Sequence, residues 1–204
     1  MTKIVAIAGG SGSGKTTVAR ALAHQYGPAA VIVAEDDYYH CSSQAPDFDA
    51  ATFNFDTPDA KDHSLLSQHL ALVRRGQAFD KPLYDLVTHR RRLESETVTP
   101  PALLIVEGIH VFATQSLQAL YDLKVYVEAD EALRLGRRTV RDIEERGRTP
   151  QAVLDQYFRT VRPMHEKYIA PQRALADLVL RCEYGAGPEQ AAANAARIEA
   201  ALKA

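Results

Sequence analysis

Five short apolar runs punctuate the chain, at Lys3–Ala8, Ala30–Ala34, Leu103–Glu107, Leu123–Val127 and Ala176–Leu180. Their near-continuous hydrophobicity is how strands read when both faces are covered, as in a parallel sheet. Between most of them the apolar positions switch to helical spacing. Val18–Ala23 follows the first run, and Leu65, Leu66, His69, Leu70 and Val73 repeat from Pro58 until Gly76 ends the pattern. Residues 130–148 and 151–168 are likewise helical, with Pro163 expected to kink or divide the second. The alternation predicts an α/β fold, a five-stranded parallel sheet flanked by helices. Residues 77–100 break the rhythm. Ala78–Val87 and Glu96–Thr99 read as the arms of a β-hairpin standing off the sheet, and its basic tip, His89–Arg92, reads as a solvated turn. The Ala-rich stretch 188–204 predicts a surface-packed C-terminal helix without visible chemistry.

Residues 41–58 have no helical period and are dense in turn formers, yet they carry Phe48, Phe53 and Phe55. A loop packed beside a ligand accounts for both properties. The 204 residues suit one domain, 1–204, with an ordinary globular balance of 46% hydrophobic and 25% charged residues. A formal net charge of -2 argues against a dedicated nucleic-acid binder. The longest apolar runs fall far short of a membrane span, and no secretory signal is visible. Cys41 and Cys182 have no metal or redox spacing. A cytoplasmic protein with free thiols is the expectation.

The first strand runs into Gly9, Gly10, Ser11, Gly12, Ser13, Gly14, Lys15, Thr16 and Thr17, which fit G-x-x-x-x-G-K-[ST] between a strand and a helix. The glycines let the backbone curl so that successive N–H groups and the helix N-terminus hold phosphate oxygens. Lys15 then reaches the β- and γ-phosphates, and the Thr16 hydroxyl is placed to ligand Mg²⁺. A flexible Gly/Ser turn is the bland alternative, and the flanking strand and helix speak against it. A P-loop protein binding a nucleoside triphosphate is expected.

Phosphate chemistry in such folds sits at the carboxyl ends of the strands. The second strand ends in Glu35-Asp36-Asp37-Tyr38-Tyr39, where a carboxylate can accept the proton of an acceptor hydroxyl. The third ends in Glu107-Gly108, the shape of a Walker B segment whose acid can hold Mg²⁺. After an N-capping Asp130 come Arg134, Arg137, Arg138, Arg141, Arg146 and Arg148. Guanidinium suits bidentate phosphate, so a helical lid over 137–160, closing on the triphosphate, is predicted. Pairing of Arg134 and Arg146 with nearby acids is the alternative.

In this order the pieces resemble the uridine–cytidine kinase family from Ile4 to about Leu180. The carriers are Gly9–Thr17, Asp36–Tyr39, Phe53-Asn-Phe-Asp-Thr-Pro-Asp-Ala60, Pro82-Leu-Tyr-Asp-Leu-Val-Thr-His-Arg90, Glu107-Gly-Ile109, Arg137–Asp142, Glu145–Arg148, Gln156-Tyr157 and Arg162-Pro163. The resemblance implies ATP, or GTP, as phosphate donor with Mg²⁺, and a pyrimidine nucleoside, uridine or cytidine, as acceptor at its 5′-hydroxyl. It implies Asp36 as the base, with Asp37 as rival, and Lys15 and Arg141 as catalytic contacts to the triphosphate. Asp56 and Arg138 are implied to hold the ribose hydroxyls, Tyr84 and His89 to read the pyrimidine, and Arg148 and Gln156 to complete the pocket. Thr16 and Glu107, with Asp36, are the implied Mg²⁺ shell. A homotetramer inhibited by CTP or UTP also follows from the resemblance. Thr57 departs from the usual His, and Arg181–Gly185 departs from the family's turn near adenine. Two other readings stand beside it. A phosphoribulokinase-like sugar kinase needs a basic pocket for a sugar phosphate. A nucleotide-binding switch would need Asn-Lys-x-Asp and Asp-x-x-Gly, and neither string occurs.

Overall fold

The computed structural model describes residues 1–41, 48–49 and 52–203, so residues 42–47 and 50–51 of the expected ligand-side loop, and Ala204, lie outside the described residues. In chain order the elements are β1 (Lys3–Gly9), α1 (Lys15–Tyr26), β2 (Ala30–Ala34), α2 (His63–Arg74), β3 (Phe79–Asp85), β4 (Arg90–Val98), β5 (Leu103–Gly108), α3 (Gln115–Gln118), β6 (Leu123–Glu128), α4 (Glu131–Glu144), α5 (Pro150–Gln156), α6 (Arg162–Met164), β7 (Leu178–Arg181) and α7 (Pro188–Lys203). The main sheet has the order β2-β5-β1-β6-β7, and every pairing in it is parallel.

Alternation along β1 builds two cores. Ile4, Ala6 and Ala8 face a cluster with Leu66, Leu70 and Val73 of α2. Val5 and Ile7 face the other side with Val18 and Leu22 of α1 and Ala195 and Ile198 of α7. Fully buried Leu and Ile side chains each contribute about 1.5–3 kcal/mol. The C-terminal helix is therefore part of the second core. Among the described residues no helix is long and apolar enough to cross a membrane.

Five sequence expectations change. The hairpin turn lies at residues 86–89, and β4 already begins at Arg90. Most of that strand is exposed and polar, so it carried no apolar period. Arg91 is not a solvated tip residue. Its guanidinium donates to the carbonyls of Tyr39 (2.8 Å) and Tyr38 (3.1 Å) and lies 3.6 Å from Asp62. Pro163 does not divide the helix, because wide π-type turns at Tyr157–Val161 and His165–Ile169 flank it and relax the backbone around its missing N–H. Asp130 occupies the N-cap of α4, but its side chain makes no capping hydrogen bond. The last strand starts at Leu178, after a tight helical turn that runs to Leu175.

Candidate active site

The loop leaving β1 curls over α1 as the motif requires. Gly12 has φ 78°, and a Cβ there would lie 2.3 Å from the Arg134 carbonyl oxygen, so a side chain is excluded both by conformation and by space. Gly14, at φ 97°, is the N-cap of α1. No side chain caps that helix and no acid stands in its first turn. Its terminal N–H groups are thus left for an anion. Ser13 is fully buried and its Oγ has no hydrogen-bond partner among the described residues. Burial lowers the proton affinity of the Lys15 ammonium, and Glu107 and Asp36 oppose that effect. An uncapped helix start, an orphan hydroxyl and a desolvated cation fit a polyphosphate.

Two cavities meet at Lys15 and Arg141. One, of about 330 Å³, opens between Asp36, Asp56, His89, Arg138 and Gln156. The other, of about 280 Å³, runs along the loop past Thr16, Arg137 and Cys182 to Gln190 and Asn194 of α7. In the first, Phe55 stacks on His89 (4.6 Å, 27°) and packs edge-on against Tyr39. Phe48 and Phe53 back Phe55, so the described phenylalanines of the 41–58 segment do gather at a cavity wall. Tyr84 does not line this cavity. Its ring packs on Tyr39 at 5.2 Å, one layer behind the wall.

The two neighbouring acids after β2 have different fates. Asp37 does not line the cavity, and its carboxylate takes a 2.6 Å hydrogen bond from Lys81 at the base of the hairpin. Asp36 lines the cavity with 46% of its side chain exposed, and Lys61 Nζ donates to it at 2.8 Å. Burial pushes the Asp36 carboxyl up, but the Lys61 ammonium outweighs it, so the group titrates below the ordinary carboxylate range. Lys61 also donates to Glu35 (2.8 Å), which is fully buried and further held by His63 Nε2 (2.8 Å) and the His110 N–H (3.0 Å). Sequence reasoning missed Glu35, Lys61, His63 and His110. The only cue was that a charged pair, Lys61-Asp62, interrupts the chain where the helix was expected to be under way.

Thr16 Oγ1 donates to Glu107 Oε1 at 3.0 Å, and burial raises the Glu107 carboxyl against the pull of Lys15. Two oxygens side by side at the loop, one on an under-solvated acid, suit a hard divalent cation. Asp56 is 4% exposed, its carboxyl is raised by burial, and Oδ2 has no hydrogen-bond partner among the described residues. That oxygen is an acceptor waiting for a hydroxyl donor.

His110 is 1% exposed. A carbonyl can only accept, so its Nε2–H donates to the Asp56 carbonyl at 2.8 Å. Burial pushes this imidazole down to about 4, with Glu35 opposing. The unfolded side chain takes up its proton near pH 6.5, so between roughly pH 6.5 and 4 the unfolded state binds more protons. Stability is therefore expected to fall as the pH drops through that window, by on the order of 3 kcal/mol from this group. Urea midpoints measured across it check this, and His110→Gln should flatten the slope.

The arginine segment organises around one acid. Asp142 is fully buried and lies 2.7 Å from Arg141, 3.4 Å from Arg138, 3.6 Å from Arg146 and 3.7 Å from Arg148. Arg138 also donates to Ser11 Oγ and to Gln156 Oε1, each at 2.9 Å, which ties α4 to the glycine-rich loop and to α5. Arg148 shares the Gln156 oxygen. Arg134, by contrast, pairs with no acid among the described residues. It buttresses the loop from below and donates to the Ala129 carbonyl.

Residues 4–183 match the profile described as the phosphoribulokinase / uridine kinase family. The chain belongs to that family. A uridine kinase of Geobacillus kaustophilus (strain HTA426) is 42% identical over 178 residues, covering 87% of this chain and 84% of the relative. One from Listeria welshimeri serovar 6b is 41% identical over 184 residues, covering 88% of each. Among solved structures, phosphoribulokinase from Rhodobacter spheroides superposes with a TM-score of 0.64 at 16% identity, covering 94% of this chain and 74% of that one. The structural likeness carries the α/β P-loop kinase fold, and the family carries the activity class, phosphoryl transfer to an alcohol acceptor. The family's description joins two kinases, so the first cavity, beyond the loop, is where this chain's own acceptor is decided.

Proposed function

We propose that the protein transfers the γ-phosphoryl group of ATP to the 5′-hydroxyl of uridine or cytidine, giving UMP or CMP. The observation that carries this reading is the junction of the two cavities at Lys15 and Arg141, with Asp36 on the acceptor side. A triphosphate lying on Gly9–Thr17 presents its terminal phosphate at that junction, and its base lies toward Gln190 and Asn194. The names of the close relatives support a pyrimidine nucleoside as acceptor.

The residues then divide the work. Asp36, ionised at neutral pH, accepts a hydrogen bond from the 5′-hydroxyl and takes its proton as the new bond forms. Lys15 and Arg141 neutralise charge spreading over the transferred group. Thr16 and Glu107 offer adjacent oxygens that would hold Mg²⁺, which would supply further neutralisation of phosphate charge. Asp56 and Arg138 hold the ribose hydroxyls. Phe55, Tyr39 and His89 form the flat walls for the base, and Tyr84 acts through Tyr39 rather than by direct contact. His89 can present either a donor or an acceptor nitrogen, which suits both the uracil carbonyl and the cytosine amino group. Arg148 and Gln156 close the pocket from the lid and keep water from the terminal phosphate.

Against an acceptor that already carries a phosphate stands the aromatic wall of the first cavity, where Phe55, Tyr39 and His89 offer flat faces suited to a base. An ADP-release assay with ATP–Mg²⁺ tests the reading across uridine, cytidine, ribulose 5-phosphate and no acceptor. Stimulation by both pyrimidine nucleosides and not by ribulose 5-phosphate is expected. A reversed pattern makes the protein a sugar-phosphate kinase.

A further inference from the structure

We infer that Lys61 is a positioning residue of the transfer reaction, a buried ammonium that grips one oxygen of Asp36 and leaves the other for the acceptor hydroxyl. The inference rests on the reading of Asp36 as the group that receives that proton.

The backbone fixes Lys61 first. An isolated antiparallel bridge joins Tyr39 to Lys61, with His40 N–H donating to the Ala60 carbonyl (3.0 Å) and Asp62 N–H to the Tyr38 carbonyl (2.8 Å). The segment before α2 is thereby laced to the turn that carries Asp36. The side chain is then locked. It is 0% exposed, it donates at 2.8 Å to both Glu35 Oε2 and Asp36 Oδ1, and Nζ lies 4.7 Å from the centroid of the Tyr39 ring. An ammonium has three N–H groups, and here two meet carboxylates while the ring accounts for the remaining side. Glu35 is equally fixed. His63 and the His110 N–H hold its oxygens, and Gly108 lies so close that a Cβ there would sit 2.2 Å from Oε2.

Burying an ammonium costs several kcal/mol of hydration, and a core that needed only bulk at position 61 would hold an apolar side chain more cheaply. What the charge does here is directional. Asp36 is half exposed on a short turn, and two cations compete for it, since Lys15 also acts on its charge. Were Asp36 to close on Lys15, it would take the loop cation from the phosphates and turn away from the hydroxyl. Lys61, anchored through Glu35, holds Asp36 on the acceptor side and keeps Lys15 for the donor. A displacement of the reacting group by about 1 Å is enough to cost on the order of 10²-fold in rate.

The test compares Lys61→Met, the double variant Glu35→Gln/Lys61→Met and Asp36→Asn in the ADP-release assay, with thermal melts of each. Lys61→Met is expected to lower kcat by about 10- to 100-fold, with KM for ATP and nucleoside within about threefold, because binding contacts are untouched. It also melts early, since buried Glu35 loses its ammonium counter-ion. The double variant removes both buried charges. It should regain most of the lost melting temperature but none of the lost kcat. If kcat returns with stability, the cluster is only structural and the inference falls. If Lys61→Met keeps full kcat once corrected for its folded fraction, it falls as well. If Asp36→Asn is itself fully active, the assignment of Asp36 is wrong, and the inference goes with it. An inactive Asp36→Asn beside a fully active double variant overturns Lys61 alone.

Discussion

Asp36→Asn is expected to lower kcat by about two to four orders of magnitude while ATP affinity stays within a few fold, the range typical of losing a positioned proton acceptor. The amide keeps the shape of the carboxylate and can still accept a hydrogen bond, so ground-state binding survives. It cannot take the proton or carry the negative charge that orients the hydroxyl in line, and the loss falls on the transition state. Asp37→Asn is the control that separates the two adjacent acids. Its carboxylate is bound to Lys81, away from the cavity, so the change should loosen the base of the hairpin and leave kcat within about threefold. Nucleotide titration together with steady-state kinetics on both variants decides the matter. A damaging Asp37→Asn beside a benign Asp36→Asn would falsify the assignment.

Asp142→Asn should have the largest effect on stability. The carboxylate is the common counter-charge of four guanidiniums and has no exposure of its own. Removing it leaves positive charges facing one another across the start of the lid. Loss of one partner from a buried ion cluster costs about 3–5 kcal/mol. Three of the four arginine side chains are 27–32% exposed, and water screens them in part, so about 2–3 kcal/mol is expected here. Function should suffer as well. Arg138 is aligned by Asp142 toward Ser11 and Gln156, and its release should raise the nucleoside KM more than it lowers kcat. Urea unfolding and the KM-against-kcat split measure the two consequences separately. An unchanged urea midpoint would show that the arginines find other partners.

The central strands β1, β5 and β6 were legible because both their faces are largely buried, and the half-covered edge strands β2 and β7 still keep a short apolar run. The largely exposed β4 was not, since most of its side chains face solvent and its sequence is free to be Arg-Arg-Arg-Leu-Glu-Ser-Glu. The same exposure made Arg91 look solvated, although its side chain reaches back to the Tyr38–Tyr39 backbone. The phosphate loop was legible in full, because its residues are contiguous and act largely through their own backbone. Of the two outcomes expected at Pro163, kink or division, division does not occur, because the wide turns on both sides absorb its missing N–H. Asp142 stood in plain view inside an arginine run, but a list of charges does not say which one the others surround.

By itself the sequence determined the order of elements, the phosphate cradle and the acids at the strand ends, all of which follow from short-range pattern and backbone geometry. The tertiary structure decided which of Asp36 and Asp37 faces the cavity, because that depends on partners, Lys61 and Lys81, lying 25 and 44 residues away. It also decided that four arginines of 138–148 converge on Asp142, that Tyr84 stands behind Tyr39 and that α7 lines the second cavity. Contacts of that kind are fixed only when distant segments are packed together, since a carboxylate's chemistry is set by the charges that burial brings to it.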